Sequence, residues 1–490
     1  MNNLGRYKQQ FNYKRIFFYV ILFVVNCIAC KNISISYVVV LFEIASVILL
    51  LVTGKIGEAI IMHNLCLAFS IEVSQFVYGE FTMMYSYAYM PYIHRYGPLI
   101  IEILLLAGLL VVDKGKLYIY SDNCNRTSWR GRFIKDLSLL MLMGFVMSLI
   151  AYLVNDNGIA KLDWYSNSYI SESVYWIILF IDVILVHVEL NRNQNFHNIL
   201  RSNLSDFFVS MLFASVVSIA AGWHGVYSSH QSIILMPLIV FFGAILVVFP
   251  SFEKYKNTLF FVSGIGLIIC LVIKQSPLLG KWFLVLGFTI VSFLWINVSH
   301  KRFFKILVIG AIAVVILYFV GPRLLGTSEL FQYKYSQVLM SIGIQTGLDS
   351  FSNTASSSIR WEELANIFLE YLNKPYYAIF GKGIGGSILH RTNWNTWSVL
   401  SAFSQEQINA KVYIAMHETI NILFLKFGFI GLMFAIKNIY TAIKNISKSP
   451  WILMGITWFV FFLNAYISMY IMVPVLLLGM FEADNSYTDQ

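Results

Sequence analysis

The sequence predicts an all-α membrane protein that crosses the bilayer many times. Hydrophobic residues make up 58% of the chain and charged residues only 12%, whereas a soluble domain carries about 25% charged residues. The mean hydropathy is +0.70, and apolar runs of about 17–22 residues, which suit a helix crossing a bilayer core, recur along the chain. Because these runs lack the residue alternation of a membrane β-barrel, helices are expected.

These runs predict about fourteen transmembrane helices. A cytoplasmic tail is expected at 1–15, a bundle of about eleven helices at 16–321, a large external loop at 322–414, the last three transmembrane helices at 415–482 and a second cytoplasmic tail at 483–490. The predicted spans are residues 16–30, 35–53, 56–78, 97–112, 137–155, 172–190, 206–221, 231–250, 258–275, 280–297, 303–321, 415–436, 451–466 and 468–482.

The positions of lysine and arginine predict how these helices are oriented. Alternate loops are basic, and the loops between them are nearly free of lysine and arginine, as at 222–230. Because basic loops stay in the cytoplasm, both termini are predicted to be cytoplasmic and 322–414 to lie outside. The net charge of +9 is thus spread over short loops, which indicates membrane topology, and no nucleic-acid partner is expected.

The external segment at 322–414 is predicted to be ordered and functional, because unstructured loops of this length are uncommon. Its helical repeat of apolar residues predicts an amphipathic helix that rests on the bundle or on the membrane surface. The repeat consists of Leu364, Ile367, Phe368, Tyr371 and Leu372. The serines at 356–358 are expected to cap the start of this helix, and Pro375 to limit its end.

Arg360 stands two residues past these serines, at the predicted opening of the helix. A guanidinium beside helix N-terminal N–H groups suits a pyrophosphate, because both attract anions and the guanidinium binds phosphate through two nitrogens. The alternative is a surface arginine that pairs with Glu362 or Glu363.

A glycine-rich segment follows at 380–387, and it includes Gly381, Gly383 and Gly385. Successive backbone N–H groups in such a segment can cradle a phosphate, so these glycines are candidate substrate-binding residues. A tight structural turn is the alternative. Arg323 and Arg391 are further substrate-binding candidates on the outer face, each with a structural alternative.

His417 lies where the chain is predicted to re-enter the membrane. It could act as a base or donate to a phosphate oxygen, or it could be an ordinary interfacial histidine. Among the carboxylates inside predicted spans, Glu72 lies nearest the outer face and could activate an acceptor hydroxyl. Glu43, Glu102 and Asp182 are expected to be structural groups with polar partners. No spacing typical of metal ligands is present, so no metal or other cofactor is expected.

The order of these features resembles the O-antigen polymerase and ligase superfamily, and most closely its Wzy-type polymerases. The resemblance rests on an eleven-span block, Arg360-Trp361 in a large outer loop, and three later motifs. These motifs are Pro-Tyr-Tyr-Ala-Ile-Phe-Gly-Lys-Gly-Ile-Gly-Gly-Ser at 375–387, His417-Glu418, and Lys-Phe-Gly-Phe-Ile-Gly-Leu at 426–432. Outside 360–432 only the topology matches, and the family often has His-Asn where this chain has His417-Glu418.

The resemblance implies a GT-C-like bundle in the bacterial cytoplasmic membrane and a metal-independent glycosyl transfer on its outer face. The donor would be a glycan on undecaprenyl pyrophosphate, the acceptor would be a hydroxyl of the newly flipped lipid-linked repeat unit, and a chain-length regulator protein would be a further partner. Arg360 matches the arginine that holds pyrophosphate, and His417 the histidine that opens the next span. Arg95 is placed at a second outer-loop arginine, and Trp361 is among the aromatic residues expected to stack on sugars.

Two alternative functions remain from the sequence. An O-antigen ligase would carry out the same chemistry with lipid A-core as the acceptor, and the length of the chain and its extra spans favour the polymerase. A lipid-linked oligosaccharide flippase would belong to another class of protein. Such transporters usually have internal repeats and short loops, whereas this sequence has one large outer loop and no visible repeat.

The predicted topology can be tested with reporter fusions at Asn123 and Asn353. The charge pattern places the basic loop at 113–136 in the cytoplasm and the loop at 322–414 outside. A phosphatase reporter should therefore be active only at Asn353, and a cytoplasmic reporter only at Asn123. Activity of one reporter at both positions would contradict the topology.

Overall fold

The computed structural model describes residues 12–29, 32–69, 85–115, 129–154, 165–210, 299–312, 355–392 and 405–445, with short gaps in the fifth and sixth ranges and without Arg95, Ala415 and His417. Most predicted spans between 206 and 297, and those after 450, lie outside these residues.

The described elements are mainly α-helices. Six come before residue 200: α1 (Tyr13–Ala29), α2 (Ile33–Val52), α3 (Ile56–Phe69), α4 (Tyr96–Val112), α5 (Trp129–Leu153) and α6 (Tyr165–Arg192). The later elements are α7 (Ala355–Asn373), α8 (Tyr376–Phe380), β1 (Ile388–Leu389), α9 (Gln405–Ala410), β2 (Val412–Tyr413) and α10 (Thr419–Asn445). The two short strands pair antiparallel, with Ile388 opposite Tyr413.

Within the described residues, four helices are long and apolar enough to cross a membrane, namely Ile33–Val52, Arg130–Leu153, Ser173–Arg192 and Thr419–Lys444. Shorter apolar helices occur at Ile56–Leu67 and Tyr96–Val112. Large apolar side chains of α2, such as Val38 and Leu49, are exposed, as expected where lipid replaces water. The architecture agrees with a helical membrane protein, while the total of fourteen spans stays a prediction.

Polar contacts join residues at or near the ends of several helices at one end of the bundle. Arg192, at the end of α6, pairs with Asp113 just after α4 at 3.7 Å. Arg130, at the start of α5, donates to Asn191 at 2.7 Å. Asp136 of α5 forms an ion pair with Lys437 near the end of α10. These contacts bring basic residues from three predicted cytoplasmic loops together, while the predicted orientation of the helices stays a prediction.

Helix α10 is broken near its middle at Gly428, where φ is 59° and ψ is −150°. The break interrupts the regular pairing of N–H groups with carbonyls one turn earlier. Carbonyls in the turn before the break accept hydrogen bonds from other elements. The Tyr371 hydroxyl donates to Phe424 O at 2.5 Å and to Leu425 O at 3.0 Å. In an apolar bundle this satisfies backbone groups that water cannot reach.

The segment after α8 completes this arrangement by inserting between α5 and α10. The Lys382 N–H donates to Leu425 O and the Gly383 N–H to Lys426 O, each at 2.9 Å. The Ile384 N–H donates to Gly144 O of α5 at 3.1 Å. The glycine segment is therefore a non-helical insertion whose N–H groups bond to two neighbouring helices.

Substitution of Gly428 by alanine should destabilise the fold strongly. A Cβ at this position would lie 2.6 Å from the carbonyl oxygens of Ala378 and Ile379, in a backbone conformation that essentially only glycine adopts. We expect a loss of about 3 kcal/mol or more in the free energy of unfolding. The measurement is the monodisperse fraction of detergent-purified protein that survives a heating series.

Gly54→Ala is the matched control for Gly428→Ala. Gly54 also has a positive φ, 76°, but a Cβ there would meet no atom within 4 Å. Its cost should be limited to backbone strain of about 1 kcal/mol. Equal losses for the two variants would show that crowding at the break of α10 is unimportant.

Candidate functional site

Helix α7 carries the candidate site and packs its polar side inward. The predicted amphipathic helix is present, but it begins at Ala355. The serines at 356–358 therefore lie inside its first turn, and Arg360 lies in the helix just after that turn. Glu362 and Glu363 are fully buried, whereas Phe368 is 46% and Leu372 76% exposed. Ile367 and Tyr371 are buried on the same side, so α7 buries a mixed polar and apolar side and leaves large apolar residues exposed, which is typical of a helix with lipid on its outer side.

Two buried polar residues of α7 hold the chain at 390–392. The Glu362 carboxylate lies 2.9 Å from His390 Nε2 and accepts a hydrogen bond from the Thr392 hydroxyl. The Asn366 side-chain oxygen accepts from the backbone N–H of Arg391 at 2.7 Å and from that of Thr392 at 3.2 Å. These bonds fix the chain just after β1 beside α7.

Glu370, one turn further along α7, pairs with two cations. Its Oε1 lies 2.9 Å from Lys382 Nζ, and its Oε2 lies 2.7 Å from Arg391 Nη2. Burial lowers the pKa of the Lys382 ammonium, and the neighbouring Glu370 carboxylate opposes that effect. Burial also raises the pKa of the Tyr371 hydroxyl, so this group remains a proton donor for the α10 carbonyls.

Arg360 contacts the start of α10. Its Nε lies 2.9 Å from Glu418 Oε1, and its backbone carbonyl accepts a hydrogen bond from the Asn421 side chain at 3.3 Å. Asn421 also donates to the Glu363 carboxylate at 3.2 Å. Glu418 is thus one ionic partner of Arg360, which the sequence alternative of Glu362 or Glu363 did not include.

The glycines of the predicted phosphate cradle have close-packed backbones. A Cβ on Gly381 would lie 2.2 Å from the carbonyl carbon of Lys426, and one on Gly383 would lie 2.1 Å from Ser148 N. Both have a positive φ, as does Gly385. The tight-turn alternative accounts for Gly381 and Gly383, and substrate binding by this segment stays a prediction.

The other candidate residues divide into two groups. Glu72, Arg95, Arg323 and His417 lie outside the described residues. Trp361 is on the exposed side of α7, next to Arg360. Arg391 is a third exposed and belongs to the ion pair of Glu370. The structure therefore brings Arg360, Trp361, Arg391 and the glycine segment to one region around α7.

Sequence analysis missed the residues that fix this region, chiefly Glu370, Lys382 and Glu418. The signal for the first was a polar stripe at helical spacing, formed by Glu362, Glu363, Asn366 and Glu370. The apolar repeat left open whether the helix rests on the bundle or on the membrane surface, so the sequence did not indicate that these polar residues are buried. Lys426 was also missed: its buried ammonium donates to Gly386 O at 2.5 Å and to Ile414 O at 3.0 Å.

The carboxylates predicted to be structural are buried within the bundle and have polar partners. Glu43 accepts a hydrogen bond from the Asn26 side chain, and Asp182 accepts one from Asn64, each at 2.8 Å. Glu102 lies 3.4 Å from a ring nitrogen of His63. The expectation of partnered carboxylates is confirmed for these three residues.

Chemically, the region around α7 combines fixed cations with partial exposure. Arg360 is 27% exposed and is paired with Glu418, which is itself partly exposed, so an incoming anion could reach the guanidinium. Lys382, in contrast, is buried, and its ammonium has a structural role in the ion pair with Glu370. The arrangement therefore suits the binding of one phosphate-type anion at Arg360, with exposed aromatic and apolar side chains beside it.

No protein-family model matches the sequence, and no curated protein matches it significantly.

Removal of the Glu370 charge should loosen the region around α7. In Glu370→Gln the buried Lys382 ammonium loses its ion partner, and breaking a buried pair on one side costs about 3 kcal/mol. A double variant that adds Lys382→Met should recover much of the lost stability, because it removes the unpaired ammonium charge. The melting temperature in detergent measures both effects, with the exposed Glu58→Gln as the control. No recovery in the double variant would contradict the charge-pair explanation.

Proposed function

We propose that the protein is a glycosyltransferase of the bacterial cytoplasmic membrane that polymerises undecaprenyl-pyrophosphate-linked oligosaccharide repeats on the outer face. The product would be an O-antigen or a capsular polysaccharide. The long apolar helices support a membrane location, and the resemblance of the motifs at 360–432 to Wzy-type polymerases supports the activity.

The observation that carries this proposal is the contact between Arg360 and Glu418. The two residues are 58 positions apart, yet Arg360 Nε and Glu418 Oε1 are separated by 2.9 Å. Glu418 belongs to the His417-Glu418 motif, so the contact joins one residue from each of these two motifs of the resemblance. Two motifs that act on the same donor must converge in this way.

The chemistry assigned to this neighbourhood is a substitution at the anomeric carbon of the donor glycan. The acceptor hydroxyl oxygen bonds to that carbon, and the bond from carbon to the undecaprenyl pyrophosphate oxygen breaks. The electron pair stays on the leaving phosphate oxygen, and the hydroxyl proton passes to a base, for which His417 and Glu72 are the candidates. Arg360 would stabilise the negative charge that develops on the pyrophosphate.

The outer side of α7 supports a lipid-linked substrate. Trp361, Phe368 and Leu372 are exposed on this helix, although its other side is rich in buried carboxylates. Exposed apolar side chains beside a partly exposed arginine match the two chemical parts of the donor, a polyprenyl tail and a pyrophosphate.

Loss of Arg360 should abolish long polymer. Removing a charge-assisted contact that strengthens in the transition state costs about 3 kcal/mol, roughly a hundredfold in rate. Arg360→Lys should be nearly as impaired as Arg360→Ala, because it lacks the planar fork. His417→Ala should show a comparable loss. Glycan chain length in cells is the readout, with protein amounts checked by blot and the exposed Arg132→Ala as the control.

The Glu418 variants separate a substrate-binding arginine from a structural one. If Arg360 only anchors α7 to α10, Glu418→Gln should be as damaging as Arg360→Ala, and the exchange Arg360→Glu with Glu418→Arg should restore function. If Arg360 binds pyrophosphate, Glu418→Gln should retain activity and the exchange should remain inactive. Full-length polymer from normally expressed Arg360→Ala and His417→Ala proteins would overturn the proposed site.

Deletion of the gene separates the three candidate functions. A polymerase defect leaves single repeat units on the lipid carrier or the core, whereas a ligase defect leaves a bare core. A flippase defect traps intermediates in the inner leaflet. Glycan gels and lipid extracts distinguish these products, and only the first outcome supports the polymerase.

A further inference from the structure

Three ionisable side chains meet inside the bundle, far along the chain from α7. His63 of α3, Glu102 of α4 and Asp182 of α6 are all fully buried, and one ligand-type atom of each lies within 4.8 Å of the others. Asn64, the neighbour of His63, donates to Asp182 Oδ1 at 2.8 Å. The cluster therefore joins three separate helices, α3, α4 and α6.

The position of His63 is typical of a metal ligand. Its Nδ1 lies 2.9 Å from the Tyr87 hydroxyl oxygen, and metal-bound histidines usually donate from their second ring nitrogen to such a group. With the proton on Nδ1, the Nε2 lone pair faces Glu102. The Nε2–Oε1 distance of 3.4 Å is long for a hydrogen bond, but two ligand atoms on one tetrahedral zinc ion are separated by about 3.3–3.4 Å.

Oxygen atoms around the cluster have capacity for a further partner. Glu102 Oε2, Asp182 Oδ2 and Asn64 Oδ1 are buried, and within the part of the chain that the structure describes they accept no hydrogen bond. In that same part, no lysine or arginine forms an ion pair with either carboxylate. Unsatisfied buried oxygens are costly, and a bound ion is a common explanation for them.

The charge of the cluster selects the kind of ion. Two carboxylates and one neutral imidazole carry a charge of minus two, which one divalent cation balances. A nitrogen ligand in a set of three or four favours zinc and related transition metals, whereas magnesium and calcium prefer more oxygen ligands and water.

The geometry points to a buried site for a divalent transition-metal ion of the zinc type, held by His63, Glu102 and Asp182. Its role is structural: one ion ties α3, α4 and α6 together inside the bundle. The site is separate from the region around α7, so glycosyl transfer itself needs no metal chemistry from it.

The test is the metal content and the melting of the full-length protein. The protein is purified in detergent with a histidine-free affinity tag from cells supplied with zinc, and its metals are counted by mass spectrometry. Wild type should hold about one zinc ion per chain. Glu102→Gln and Asp182→Asn should hold at least about tenfold less. Glu43→Gln, which changes a buried carboxylate outside the cluster, should match wild type.

Chelation and cobalt exchange complete the test. A membrane-permeable chelator should lower the melting temperature of wild type and of Glu43→Gln but not that of Glu102→Gln. If the ligand variants fail to fold, cobalt-exchanged wild type still provides a readout, through the visible absorption of tetrahedral cobalt. Metal-free wild type that melts normally, or equal zinc in Glu102→Gln and Glu43→Gln, would overturn the site and indicate protonated carboxylates.

Discussion

The constraint on which the region around α7 depends is that carbonyls beside a break in a long apolar helix must find hydrogen-bond donors without water. The turn of α10 before Gly428 meets this need through the Tyr371 hydroxyl and the N–H groups of Lys382 and Gly383. These donors come from α7 and from the glycine segment, so both elements are fixed to α10. The break and the insertion are therefore one feature, and neither could be changed alone.

The buried polar residues of α7 connect this fixed region to the partly exposed residues around it. Glu370 fixes Lys382 and Arg391, Asn366 fixes the backbone at 391–392, and Arg360 reaches Glu418. Each carboxylate has a charged or hydrogen-bonding partner, as burial requires. Arg360 thus lies at the partly exposed end of a fixed network, which is the arrangement that binding of an anion in one orientation needs.

Hydropathy and charge alternation predicted what depends on local sequence: apolar helices, an amphipathic helix bearing Arg360, and its end before Pro375. They could not predict which side of that helix packs inward, because a lipid-facing helix and a soluble one share the same periodicity. Nor could they predict the convergence of His63, Glu102 and Asp182, which lie on three helices with no common spacing. The same glycine pattern suits either phosphate binding or close backbone packing. Only the groups that surround the segment in the fold indicate close packing.

The exposed apolar side of α7 also has a consequence for the position of Arg360 relative to a bilayer. A helix with Phe368 and Leu372 on its outer side settles at the boundary between acyl chains and headgroups. That is the level at which the phosphates of any lipid-anchored molecule lie. Under the proposed function, the exposed apolar side of α7 would set the depth of the Arg360 guanidinium at headgroup level, and its alignment with the substrate would depend on membrane thickness.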